Sequence, residues 1–205
     1  EFKNAVRPLR PDTRQIRYSD VDDLRYMTER TAAVVTEPVQ GEAGVRLPVE
    51  GYLEALRKRC DEVGAMLIFD GIQTAFGRAG KMFGFERTGV VPDIICLAKA
   101  FGGGMPLGGF VSSKKIMDSL TENPVWGHIS TFGGHPVCCA AGLAALTYLT
   151  DNNLVDRAEH IGRRYEELLT GHHAVKEIRR AGALLAVELG SPEKMYAAMA
   201  ALTEN

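Results

Sequence analysis

Long hydrophobic runs are missing from this sequence. No apolar stretch is long enough to span a bilayer, and no basic-then-apolar run opens it, so nothing marks a membrane as partner. An excess of one charge is missing too. Lys and Arg number 24 against 26 Asp and Glu, and a net charge of −2 gives no reason to expect nucleic acid. Cysteine is sparse: Cys60, Cys96, Cys138 and Cys139. None has zinc-site spacing, so no metal is expected. Buried thiols of this kind behave as small hydrophobes, which suits a reduced, cytoplasmic setting. Internal repeats and low-complexity tracts are also absent, which sets aside repeat architectures.

What is present is ordinary for a globular protein: 45% hydrophobic and 24% charged residues in 205. That length holds one domain with a sizeable core, or one domain and part of a second. Apolar strands alternate with amphipathic helices, the pattern of an α/β sheet. Strands are expected at 32–36, 65–69, 94–98 and 109–112. A helix over 48–63 carries Leu53, Leu56, Cys60 and Val63 on one face, with Gly64 as its stop. Pro136 opens a helix through Leu149 that is apolar nearly all round and so expected to be well buried. Asp151-Asn152-Asn153 breaks the pattern with capping residues. A second amphipathic helix then runs through Leu154, Ala158, Ile161, Tyr165 and Leu168. Residues 183–189 read as a strand of a smaller unit, and Met195, Met199 and Leu202 mark a last helical stripe. The boundary falls near residue 150, dividing 1–150 from 151–205.

The most informative residue is Lys99. It ends the apolar run Asp93-Ile94-Ile95-Cys96-Leu97-Ala98 and is followed by Ala100-Phe101-Gly102-Gly103-Gly104. Partial desolvation there would favour the neutral amine, a usable nucleophile, and the glycines would leave room for a bulky group. Asp70 ends a second strand 29 residues earlier, a spacing that suits one strand–helix–strand unit. Both side chains then project from one edge of a parallel sheet, where open α/β sheets bind ligands. A lysine able to form a Schiff base and an aspartate able to hold a pyridinium nitrogen are the groups that pyridoxal phosphate (PLP) most needs.

Four segments carry a resemblance in the same order. They are Glu37-Pro38-Val39-Gln40-Gly41-Glu42-Ala43-Gly44, then Leu67-Ile68-Phe69-Asp70-Gly71-Ile72-Gln73-Thr74-Ala75-Phe76-Gly77-Arg78, then Pro92 to Lys99, then Ser130-Thr131-Phe132-Gly133-Gly134-His135-Pro136. From about Phe2 to Leu189 the chain resembles the class III, or ω-, aminotransferases of fold type I. The nearest group is the acetylornithine, ornithine and 4-aminobutyrate enzymes. The resemblance implies a mostly parallel sheet flanked by helices in a large PLP-binding domain, followed by the start of a smaller C-terminal α+β domain. It also implies that an N-terminal part precedes Glu1 and that most of the small domain follows Asn205.

By the same resemblance Lys99 carries the cofactor as a Schiff base and shuttles a proton, while Asp70 pairs with the pyridine nitrogen. Ile72 packs on the ring and Gln73 approaches its phenolic oxygen. Ser130 and Thr131 serve the phosphate, Thr131 that of a neighbouring subunit, so a homodimer or larger assembly is implied. Glu37 and Glu42 flank a turn on the substrate side; Glu42 matches an acid that can mask a carboxylate-binding arginine. Arg78 is read as a structural ion-pair residue. Three positions depart from the pattern: Gly71 stands where an acid is usual and adds backbone freedom, Ala75 replaces a glycine and His135 an asparagine. The implied reaction transfers an amino group from an ω-amino or diamine-type donor to a 2-oxo acid, with 2-oxoglutarate as acceptor. Another class III reaction (aminomutase or decarboxylase) and a non-catalytic cofactor-domain fragment are the alternatives.

Overall fold

The computed structural model describes residues 11–121 and 127–203. Its centre is a four-stranded sheet, β1 (Ala33–Thr36), β2 (Met66–Asp70), β3 (Ile94–Leu97) and β4 (Gly109–Ser112), in that spatial order. The first three strands are parallel and β4 closes the edge antiparallel. The strand positions match the expectation to within a residue at either end, because each is a short apolar run between turn residues.

Helix α1 (Tyr52–Val63) packs on this sheet. It starts four residues later than the sequence pattern suggests. Gly51 sits at φ +78°, outside helical space, so the helix can begin only after it, and Gly64 at φ +72° ends it as expected. Leu53, Leu56 and Cys60 from α1 bury fully against Leu67 and Phe69 of β2, with Leu24 and Met27 closing the cluster from below. Burial pushes the Cys60 thiol up to about 11, so this cysteine is packing rather than chemistry.

After the short helix α2 (Lys114–Asp118), helices α3 (Pro136–Asp151) and α4 (Leu154–Leu169) follow. They meet at Asn153, which takes φ +51° and caps with no side-chain hydrogen bond, so the break is made by backbone conformation and not by the expected cap. The expectation that α3 is well buried is not met. Only Cys138 and Gly142 are buried, while Leu143 and Tyr148 are about two-thirds exposed. One face packs on the chain around Lys99 and its last turn reaches Gly77 and α4, while Val137, Leu143 and Tyr148 stay exposed.

A second sheet pairs β5 (Glu177–Ala181) antiparallel with β6 (Leu184–Glu188), and α5 (Pro192–Thr203) ends the described chain. Strand β5 was not expected, since Glu-Ile-Arg-Arg-Ala carries no apolar alternation. Its charges are paired instead: Arg180 bridges Glu159 at 2.7 Å and Glu166 at 2.8 Å on α4, and Arg179 bridges Glu188 at 3.0 Å on β6. The hairpin turn at Gly182 (φ +59°) is pressed against Ala79 and Gly80, where a side chain on Gly182 has no room. Ala79 and Ala181 join Val39 and Val45 in a second small core. That contact brings the hairpin beside the loop following β2.

Candidate active site

The parallel register aligns the strand ends. Thr36 pairs with Phe69 and Asp70 with Cys96, so Glu37, Asp70 and the Ala98-Lys99 step emerge at one edge of the sheet. This is the carboxyl edge on which the sequence argument relied.

Asp70 is half-buried, and its Oδ1 accepts the Ile72 N–H at 3.0 Å. The other carboxylate oxygen has no hydrogen bond among the described residues. Gly71 is not a point of added freedom. Its N–H donates to the Cys96 carbonyl at 2.9 Å, and a Cβ there would lie 3.0 Å from that carbonyl and 3.1 Å from Ile95 Cδ1. The missing side chain lets the turn after Asp70 lie tight on β3. Gln73 lies against Gly41, so the Gln73 loop and the glutamate turn are interlocked.

That turn holds Glu37, whose carboxylate accepts the Gly41 N–H at 2.7 Å. Burial pushes the Glu37 carboxyl above its ordinary range. The Gly41 hydrogen bond opposes the shift, the Asp70 charge adds to it, and Lys99 opposes it. The three strand-end groups thus share one electrostatic neighbourhood. Glu42, in the same turn, points to solvent.

Lys99 takes φ +52°, a left-handed conformation that costs a non-glycine residue about 1 kcal/mol or more, and opens a 3₁₀ turn, Lys99–Gly102. The turn is braced by Phe101 stacked on Phe76, with ring centres 5.2 Å apart. Two expectations about this residue change. The lysine is exposed rather than desolvated, because nothing among the described residues covers its tip. Gly102 and Gly103 do not hold space for a ligand. A Cβ on Gly103 would meet the Ala141 carbonyl at 2.7 Å, so this glycine admits helix α3 against the lysine turn. Gly142 does the same from the helix side, where a Cβ would lie 2.6 Å from the Phe101 carbonyl.

Lys99, Ile72, Gln73 and Arg78 line one wall of an open cavity of about 470 Å³, a volume in the range of small-molecule sites. Tyr165 from α4 and Leu184-Leu185 from β6 form the other wall. In the sequence Tyr165 and the leucines read only as helix and strand positions; a contact between segments far apart in the chain brings them to the cavity. Asp70 stands behind this lining at the strand end. Ser130 and Thr131 are exposed and lie outside it, as do Glu37 and Glu42. Arg78 makes no ion pair among the described residues, contrary to its expected role.

The model of the family described as aminotransferase class-III matches residues 3–205. The chain belongs to the class-III aminotransferases. It is 41% identical over 196 residues to an acetylornithine aminotransferase of Methanopyrus kandleri, covering 95% of this chain and 50% of that protein. It thus spans half the length of this relative. Among solved structures it is similar to the ornithine aminotransferase of Toxoplasma gondii, with a TM-score of 0.81 and 37% identity over 90% of this chain and 44% of that one. That structure has partial occupancy of PLP at its active site. A taurine:2-oxoglutarate aminotransferase of Bifidobacterium kashiwanohense, in complex with PLP and glutamate, aligns with a TM-score of 0.74 and 33% identity, covering 84% of this chain and 43% of that one. With these likenesses the fold is that of a fold-type-I PLP-dependent enzyme, seen here as a mixed sheet flanked by helices.

Proposed function

We propose that the complete protein is a PLP-dependent aminotransferase that moves an amino group from an ω-amino or diamine-type donor to a 2-oxo acid, 2-oxoglutarate in the first instance. One observation carries this reading: the amine of Lys99 lines a cavity of ligand size with Ile72 and Gln73, while the carboxylate of Asp70 ends the neighbouring strand. An amine, an apolar wall, an amide and a carboxylate with an uncommitted oxygen are the donor set that PLP requires, so the residues fit it. The relatives' activities, acetylornithine and ornithine transamination among them, support the class of donor.

In this reading PLP, when bound, supplies an electron sink for the substrate carbon that loses its proton. The chain's own residues do the rest. Lys99 would hold the cofactor through its Nζ and would move a proton at the substrate carbon; its positive φ and the Phe76–Phe101 stack fix the turn from which the amine projects. Asp70 would hold positive charge on the ring nitrogen through a charge-assisted hydrogen bond. Ile72 would pack on the ring and Gln73 would approach its phenolic oxygen. Glu37 and Glu42 sit on the substrate side of the edge. Ser130 and Thr131 are exposed and away from this cavity, which suits a role toward a phosphate, for Thr131 that bound by a second copy in a homodimer. The four cysteines are free thiols, which agrees with a cytoplasmic home.

A donor panel on the complete protein, coupled to glutamate formation from 2-oxoglutarate, tests the function. Acetylornithine, ornithine or 4-aminobutyrate is expected to lead. Preference for a simple α-amino acid such as aspartate, unchanged in Glu42→Ala, contradicts the donor class.

A further inference from the structure

We infer that Glu37 is a positioning residue: its carboxylate holds the turn at Gly41, and through that turn it sets where the Gln73 amide stands. The inference rests on the aminotransferase reading for the ligand that Gln73 meets, and on the following geometry for the rest. Glu37 follows β1 at the carboxyl edge, half-buried and outside the cavity lining. Its carboxylate is turned to its own chain, where it accepts the Gly41 N–H at 2.7 Å. Gly41 is buried, and a Cβ there would collide with the Gln73 amide, so this backbone and the amide are in direct contact. The Gln73 amide makes no hydrogen bond among the described residues. It takes its place from packing, and Gly41 is the neighbour it packs on.

The rest of the turn is braced so that this placement is passed on. Gln40 and Arg46 exchange both backbone hydrogen bonds, at 3.0 and 2.9 Å, and close residues 40–46 into a loop. Just before that neck, the buried Pro38 offers its carbonyl to the Tyr18 hydroxyl at 3.2 Å, while Val39 and Val45 bury in the small core. Within the loop, the Gly44 carbonyl accepts Arg179 Nε from β5 at 2.7 Å. The Glu37 bond ties this loop to the end of β1. The Glu37 charge also meets Asp70 and Glu42, which repel it, and Lys99, which attracts it. These charges partly offset one another, and the Gly41 hydrogen bond outweighs each of them.

Equilibrium titration of the cofactor-free complete protein with PLP tests the inference. Glu37→Ala is expected to weaken PLP by about tenfold, the scale of one lost hydrogen bond to a charged acceptor. Glu37→Met, which fills the same space without an acceptor, carries the same expectation should the alanine variant fail to melt cooperatively. Glu37→Gln keeps an oxygen for the Gly41 N–H and is expected to recover most of the affinity. In a Gln73→Ala background the effect of Glu37→Ala is expected to vanish, because both residues act through one amide. A merely structural role leaves that effect undiminished, and a role through charge makes Glu37→Gln as poor as Glu37→Ala. Either result overturns the inference, as does parent affinity in Glu37→Ala and Glu37→Met. A crystal structure of cofactor-free Glu37→Ala, together with reductive labelling of the parent by PLP, separates the two readings. Lys99 labelled while Gln73 is unmoved in Glu37→Ala defeats only the positioning role. Lys99 unlabelled while Gln73 is displaced defeats the aminotransferase reading and leaves the hold of the turn on Gln73.

Discussion

At the scale of single residues, Asp70 divides its carboxylate between two tasks. Oδ1 ties the following turn through the Ile72 N–H, and the other oxygen is left uncommitted. Losing a charge-assisted partner where charge develops costs a few kcal/mol, so Asp70→Ala in the complete protein is expected to lower turnover by about a hundredfold or more. Steady-state kinetics on that variant check this, and near-normal turnover would reduce Asp70 to a turn cap. Gly41 offers a separate probe of the neighbouring loop. A side chain at 41 collides with the Gln73 amide, so Gly41→Ala is expected to displace Gln73 and weaken PLP binding while leaving α1 and the main core untouched. Equilibrium titration with PLP and a parallel thermal melt distinguish that outcome from general unfolding. The placing of Asp70 and Lys99 at neighbouring strand ends was legible in the sequence because each follows a short apolar run. The exposure of Lys99 and the unpaired state of Arg78 were not, since both depend on which distant segments arrive beside them.

Among the elements, the glycines after Lys99 show why a motif is read differently once packing is known. Their spacing suggested a vacancy for a ligand, yet Gly103 and Gly142 close the contact between the lysine turn and α3. In an open helix, Gly142→Ala would stabilise by about 1 kcal/mol. Here the added methyl meets the Phe101 carbonyl, and overpacking of this kind costs about 1–3 kcal/mol, so a net loss in chemical denaturation is expected. Strands β1 to β4 were legible as short apolar runs. Strand β5 was hidden because ion pairs to α4 and β6, not alternation, fix its place. The chain before β1 gives a pH-dependent prediction. The Arg17 guanidinium grips Asp23 through both carboxylate oxygens, at 2.9 and 3.1 Å, and holds its carboxyl down at about 2. Because the folded value is depressed, the stabilisation is present above the ordinary carboxylate range near 4 and fades as pH falls through about 2. Asp23→Asn is therefore expected to lower the thermal midpoint at pH 7 and to match the parent chain near pH 2, as melts at the two pH values will show.

For the whole molecule, the apolar surface of α3 and α5 matters most. Leu143, Tyr148 and Leu202 are about two-thirds exposed or more, and Phe132 beside α3 is 78% exposed. Exposed apolar area favours association, so sedimentation of the 205-residue chain is expected to show a dimer or larger species. The α/β class and the sheet edge bearing Glu37, Asp70 and Lys99 followed from local patterning. The cavity did not, because its far wall comes from the hairpin docked through Ala79, Ala181 and Gly182, residues too small to signal a contact in sequence. The central claim is that Lys99 is the amine that holds the cofactor. Incubation with PLP, reduction with borohydride and peptide mapping test it most directly. The pyridoxyl group is expected on Lys99, with labelling abolished in Lys99→Ala; a label on another lysine that survives this substitution would contradict the account.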